Sequence, residues 1–270
     1  MSRSSHDDPA ARWATDLRGW AIPQSILDRA PQSPWIHPVE SFRPTGDLFV
    51  DTPTRHRALE ALGSDGTSTS RTVVDVGCGG GRAAFGLVPP AAAVVGVDHQ
   101  QGMLDVFADE ARRRGVAVTT VLGDWPAVAE RTPAGDVVVC HHVFYNVADL
   151  VPFVTALTDH ARHRVVVELP WTHPLSSMSD AWKHFWDLDR PTSPTAADAL
   201  DVVRSTGVDA RIERFSTAAV SSVPVEPSDS EVEHTRIRLC LPALRDPEVR
   251  SFLADRIAPE RDLATIWWDV

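Results

Sequence analysis

Residues 71–87 read RTVVDVGCGGGRAAFGL, and how that stretch is interpreted decides the fold. An apolar, β-branched run reaches Asp75, breaks into glycine at Gly77, Gly79, Gly80 and Gly81, and continues in small residues that suit a helix. Fixing glycine costs backbone entropy, so such a cluster marks a place where something approaches the main chain too closely for side chains. Strand, glycine turn and helix in that order point to a ligand held at the end of a buried strand.

Outward from this stretch the pattern is regular. Short apolar runs at 92–98, 118–124, 136–142 and 164–170 read as buried parallel strands. Between and after them, 101–115 (closing at Gly115), 149–161 and 195–207 (Thr195 as N-cap) read as helices. Residues 209–217 and 233–241 alternate and read as two further strands, separated by a long loop over 218–231. The tail holds a helix at 246–258, and TIWWDV closes the chain. Alternating strands and helices predict an α/β fold, a doubly wound and mostly parallel seven-stranded sheet, with ligands beyond the carboxyl ends of the strands.

Residues 1–55 are expected to form a helical lid segment, two short helices broken by Pro23, Pro31, Pro34 and Pro38. Trp13, Trp20 and Trp35 make it too apolar for a free tail. A helix over 52–63 and a solvated loop lead into the main domain, 56–270, with a cap inserted after the fifth strand at about 171–194.

The chain has 270 residues, is 43% hydrophobic and 23% charged, and carries a net charge of −11. That balance opposes a broad grip on phosphate backbones and argues against nucleic acid as partner. Cys78, Cys140 and Cys240 form no Cys-x-x-Cys pair and read as reduced core thiols. No apolar run suits a signal peptide or a membrane span, so a cytoplasmic protein with no membrane partner is expected.

Two loop patterns compete at the glycines. The dinucleotide pattern Gly-x-Gly-x-x-Gly meets Arg82 at its sixth position and fails there. Asp-x-Gly-x-Gly-x-Gly is matched by Asp75, Gly77, Gly79 and Gly81. This resembles the first motif of the class I S-adenosylmethionine-dependent methyltransferases, a Rossmann-like family, and the resemblance extends over about residues 56–241. It implies S-adenosylmethionine as cofactor. The loop, Cys78 included, would pass under its amino acid part, and Asp75 would face its ammonium. Asp98, 21 residues beyond Gly77, would accept the ribose hydroxyls, a role that nicotinamide enzymes share. His99 and Met103 would lie along the adenine, with a core methionine an equal alternative for Met103. In Gly123-Asp124-Trp125 the acid would meet the adenine amino group and the indole would offer an apolar face; a helix N-cap is the other role for Asp124.

The fourth strand runs into CHHVFYN, where the family often has an acid-rich stretch ending in histidine; Asn146 stands in that place here. His141, His142 and Tyr145 fall where the transferring methyl group would be, although any single histidine there is as well explained by a hydrogen bond to backbone. After the fifth strand, Trp182, Phe185 and Trp186 share one helix face, with Trp171, His173, Lys183 and His184 nearby. This face suits either a lid over the cofactor or a surface docked on the domain or on the second subunit of a homodimer.

The expectation is a methyltransferase acting on a small-molecule acceptor at oxygen or nitrogen, by in-line displacement. The enzyme's part is to orient the acceptor and exclude water. A hydroxyl acceptor needs a base, for which His142 and His173 are candidates, with Tyr145 and His141 as positioning groups. No metal spacing and no Gly-x-Ser-x-Gly elbow occur. A non-catalytic cofactor-binding protein on the same fold, and more remotely a nicotinamide oxidoreductase, are the alternatives.

Overall fold

The computed structural model describes residues 8–35, 43–44, 48–63, 71–217, 226–254, 256 and 260–270. In chain order the elements are α1 (Pro9–Gly19), α2 (Gln24–Leu27), α3 (Pro53–Gly63), β1 (Thr72–Val76), α4 (Arg82–Phe85), β2 (Ala93–Asp98), α5 (Gln101–Arg114), β3 (Ala117–Leu122) and β4 (Gly135–His141). There follow α6 (Leu150–His160), β5 (Ala161–Pro170), α7 (Ser179–Trp186), α8 (Ala196–Ser205), β6 (Arg211–Thr217), α9 (Asp229–Arg238), α10 (Asp246–Ala254) and β7 (Arg261–Asp269).

The seven strands form one sheet in the order β3-β2-β1-β4-β5-β7-β6. β1 lies between β2 and β4, and all pairings are parallel except those of β7, which runs antiparallel to both β5 and β6. The chain reverses direction of winding at β1 and β4, so the loops after these two strands open the crevice where a ligand sits. The expected doubly wound, mostly parallel sheet is what forms.

Valine-rich strands bury both faces, as central parallel strands must. One face carries Val74, Val138 and Val165 against α1, α6 and α8. The other carries Val73, Val137 and Val166 against α3, α4 and α5.

Two elements depart from expectation. Residues 233–241 lie mainly in α9, not in a strand. Ser228 and Glu231 form a capping box, the Glu231 backbone N–H donating to Ser228 Oγ at 3.3 Å and Ser228 N donating to Glu231 Oε2 at 2.8 Å. That signal outweighs the short alternation that follows it. The antiparallel strand is instead the chain's last segment, β7, in which Ile266 and Trp268 are buried, so the aromatic end lies inside its own sheet.

The lid and cap expectations meet in a third, smaller cluster. Trp182 of α7 is 1% exposed and packs with Ile26 of α2, Val232 of α9 and Val249 of α10, while Phe185 and Trp186 cover them. Trp186 Nε1 donates to the Leu239 carbonyl at 2.7 Å. The aromatic face therefore docks onto this chain's own helices. α1 joins the main core: Trp13 is fully buried and its Nε1 donates to the Val147 carbonyl at 2.8 Å. Trp35, by contrast, is about half exposed. Among the described residues no helix is long and apolar enough to cross a membrane.

Candidate functional site

The glycine loop is pressed against the sheet. Gly77 N and Cys78 N both donate to the Val97 carbonyl, at 2.8 and 3.0 Å, and Gly81 N donates to the Cys78 carbonyl at 2.8 Å. Gly77 has φ +71°, and a Cβ there would stand 2.4 Å from Val143 Cγ2. Glycine is required at that point by both conformation and space. The contact also shows how near the loop lies to the residue following His142. Cys78 is buried, and its burial raises the thiol pKa well above the ordinary value.

Asp75 sits beneath the loop, 1% exposed. Its Oδ2 accepts from Ala84 N at 3.1 Å and so fastens the start of α4 to β1. Burial, opposed by that hydrogen bond and reinforced by Asp98, pushes its carboxyl up to about 7. The resemblance implied an ammonium-facing role; the contact the structure shows for Asp75 is this structural one.

Asp98 ends β2. Its Oδ2 accepts from Gly79 N at 3.0 Å and its Oδ1 from Gln100 N at 2.9 Å. Each carboxylate oxygen has a second lone pair, so the loop itself aims the group to accept two neighbouring hydroxyls. His99 is exposed, with Nδ1 3.7 Å from Asp98 Oδ1. Met103 is buried in the first turn of α5. Gly123 N donates to the Asp98 carbonyl at 2.9 Å and ties the ends of β2 and β3 together. Asp124 is exposed at the rim. It caps no α-helix, because only a 3-10 turn at 129–131 follows, preceded by Val128. Trp125 turns toward α6, its Nε1 donating to the Phe153 carbonyl at 3.2 Å.

At the ends of β4 and β5 the structure builds a cluster that was only half visible in the sequence. His141 pairs in register with Glu168. Burial lowers the pKa of its imidazole to about 4, and its buried Nε2 has no hydrogen-bond partner among the described residues. His142 takes a left-handed backbone, φ +61°, and its N–H donates to the Glu168 carbonyl at 2.7 Å. A non-glycine residue in that conformation is strained and is held only where its surroundings demand it. Its half-exposed ring places Nε2 3.3 Å from Glu168 Oε1. Glu168 Oε2 accepts from Thr54 Oγ1 at 2.6 Å. Burial alone would raise the Glu168 pKa; His142, His141 and Thr54 together hold it down at about 2. Glu168 was missed from sequence. The available signal was a carboxylate inside the apolar run VVVELP, since a buried acid needs partners.

Tyr145 and His173 do not join this cluster as reactive groups. The Tyr145 hydroxyl lies 3.0 Å from the Pro170 carbonyl and 3.2 Å from that of Trp171, and burial raises its pKa. Its proton is committed to backbone. His173 Nδ1 accepts from Leu175 N at 3.2 Å, and its ring stacks on Trp20 at 4.1 Å. Burial, with Arg190 nearby, lowers it to about 4. Because Nδ1 accepts an N–H, the neutral ring carries its proton on Nε2 and offers no free basic nitrogen there. Both residues are wall elements: Tyr145 also stacks on Trp13 at 5.5 Å. Among the described residues no three His, Cys, Asp or Glu side chains are arranged to hold a metal ion.

Residues 73–163 match the family model described as a methyltransferase domain. The match spans the Asp-x-Gly-x-Gly-x-Gly loop on β1 and the carboxylate of Asp98, and it agrees with the sheet order. Over this stretch the chain is similar to the class I S-adenosylmethionine-dependent methyltransferases. It is 28% identical over 158 residues to a ubiquinone biosynthesis O-methyltransferase of Agrobacterium fabrum, covering 52% of this chain and 60% of that protein. To the protein of the same name from Rhizobium rhizogenes it is 27% identical, covering 69% of this chain and 86% of the relative. Its fold is shared with magnesium protoporphyrin IX methyltransferase from Synechocystis PCC 6803 with bound S-adenosylhomocysteine (TM-score 0.52, 15% identity, 94% of this chain and 97% of that one). It is shared as well with the YcgJ protein of Bacillus subtilis (TM-score 0.53, 15% identity, 80% and 97%).

This methyltransferase site fits its family's cofactor, S-adenosylmethionine. Both oxygens of Asp98 are fixed by backbone N–H groups and keep a further lone pair each, the loop is glycine-lined, and the buried Nε2 of His141 has no partner among the described residues.

Proposed function

We propose that the protein transfers a methyl group from S-adenosylmethionine to a hydroxyl oxygen of a small, flat acceptor, with His142 as general base. The pairing of a half-exposed His142 with Glu168, next to the residue that touches the glycine loop, carries this reading. An amine acceptor already has a free lone pair, whereas a hydroxyl gains from losing its proton as it attacks. A base backed by an ionised carboxylate therefore favours oxygen over nitrogen. The net charge of −11 argues against nucleic acid as acceptor. Relatives named ubiquinone biosynthesis O-methyltransferase support the same class of acceptor.

When bound, the cofactor supplies an electrophilic methyl on a sulfonium. Asp98 and the glycine loop fix its nucleoside, which leaves His142 to orient the acceptor oxygen and take its proton.

Two measurements test this. Calorimetric titration should show binding of S-adenosylmethionine and S-adenosylhomocysteine and none of NAD. A screen of phenols and catechols, read by S-adenosylhomocysteine release, should give turnover that His142→Asn lowers about 100-fold or more. Asparagine is chosen because it tolerates the left-handed backbone. Undiminished turnover in that variant excludes His142 as base.

A further inference from the structure

Behind the His142–Glu168 pair stand two further polar groups, Thr54 and Thr265. Glu168 is held from three elements: β5 carries it, Thr54 comes from the first turn of α3, and Thr265 comes from β7. Thr54 is 1% exposed and Thr265 fully buried, and their hydroxyl oxygens are 2.6 Å apart. Hydroxyls buried this deeply at the carboxyl end of a sheet need a reason beyond packing.

We propose that Glu168, braced by Thr54 and Thr265, is a positioning residue that fixes the proton of His142 on Nε2 and so leaves Nδ1 as the atom that deprotonates the acceptor. The inference rests on the reading of His142 as base. An ionised carboxylate only accepts hydrogen bonds. Thr54 therefore gives its proton to Glu168 Oε2 and has none left, so the short contact with Thr265 requires Thr265 to donate to Thr54. On the other side, the ring nitrogen 3.3 Å from Oε1 must carry a proton to face it. The position of every hydrogen in the chain Thr265–Thr54–Glu168–His142 follows from the acceptor at its centre. The Glu168 carbonyl holds the His142 backbone N–H as well, so one residue fixes both the strained main chain and the ring. The titratable groups facing the carboxylate are His142 and the neutral His141, while α3 and β7 present hydroxyls to it.

The proton balance is simple. The acceptor oxygen gives its proton to Nδ1 and takes the methyl group, and the electron pair of the broken carbon–sulfur bond stays on sulfur. The imidazolium then stands beside Glu168 until it returns the proton to water.

The test uses the full chain labelled with 15N-histidine, with the His142 signals assigned by their loss in His142→Asn. Once the 15N shifts stop changing with rising pH, NMR should show His142 as a single Nε2–H tautomer. Glu168→Gln offers the ring a donor as well as an acceptor and should give a tautomer mixture. Thr54→Val should loosen the preference, and Thr54→Ser should restore it. The kcat should fall about 10-fold or more in Glu168→Gln, with the KM for the acceptor and the calorimetric affinity for S-adenosylhomocysteine unchanged; a merely structural carboxylate would move all three. If Glu168→Gln does not fold, the Thr54→Val and Thr54→Ser pair carries the same comparison. A mixed or Nδ1–H tautomer in the wild type, or one unchanged in every variant, overturns the proposal while leaving the base assignment intact. Full turnover in His142→Asn removes the base assignment instead, and the proposal's premise with it.

Discussion

At single residues the site depends on a few contacts with no slack. Asp98 accepts two backbone N–H groups, one on each carboxylate oxygen, and is the proposed acceptor of the ribose hydroxyls. Asp98→Ala is expected to weaken S-adenosylmethionine binding by about 3 kcal/mol, roughly 100-fold, from two hydrogen bonds to a charged acceptor. Calorimetry gives the answer directly, and an unchanged affinity removes Asp98 from the cofactor site. Gly77→Ala places a methyl 2.4 Å from Val143 at φ +71°. It should destabilise the protein by about 1–3 kcal/mol, read by urea unfolding. Adding Val143→Ala should recover the steric part of that loss but not the conformational part. Recovery that is complete would mean the left-handed backbone costs nothing there. At this scale sequence reading worked where chemistry and backbone coincide. The glycines were legible because the loop's conformation and close packing demand them, and Asp98 because an acid stood at a predicted strand end. Glu168 and Thr54 were not, because nothing local in VVVELP or TPTRH says which strand or helix will face them.

Among the elements, the capping box of α9 and the anchoring of α1 are separately testable. Ser228→Ala removes the acceptor of the Glu231 N–H and should cost about 1 kcal/mol. The loss should register as faster hydrogen exchange in α9 and α10 with little change in the sheet, since the third cluster packs apart from the two main ones. Trp13→Ala empties a fully buried site and frees the Val147 carbonyl. A loss of about 3–5 kcal/mol is expected, with proteolytic cleavage near α1 preceding global unfolding. Cleavage no faster than in the wild type would show that α1 is held by other contacts. The strand assigned to 233–241 shows how short alternation misleads. IRLCL alternates, yet its upstream Ser-x-x-Glu box commits the chain to helix, and Leu239, Cys240 and Leu241 are all buried in the segment that follows α9 rather than on one sheet face.

Over the whole molecule, buried titratable groups set opposing pH slopes. Burial lowers His141 and His173 to about 4, so their contribution is full above the unfolded value of 6.5 and is lost as pH falls toward 4. Glu168, held at about 2, adds stability that is present above 4.5 and lost as pH falls through 2. Asp75, raised from 3.8 to about 7, works the other way: the folded state holds its proton more tightly, so stability falls as pH rises between those values. Asp75→Asn removes only this last slope. The stability of the variant relative to wild type is therefore expected to increase between about pH 4 and pH 7, measured by urea unfolding at several pH values. A difference that stays flat would mean Asp75 is ionised throughout.

The sequence alone determined the strand–glycine–helix unit, the doubly wound and mostly parallel sheet through its sixth strand, and the placing of histidines at the end of β4. Each of these follows from local periodicity or from a residue type that a backbone conformation requires. Tertiary structure decided the rest. It inserted the last segment as β7 between β5 and β6, docked the aromatic face of α7 on α2, α9 and α10, and sent Tyr145 and His173 into the wall. It also brought Thr54, Glu168, Thr265 and His142 together from four separate stretches of chain. Such groupings depend on which elements become neighbours, and that is settled by burial of whole faces rather than by any local pattern.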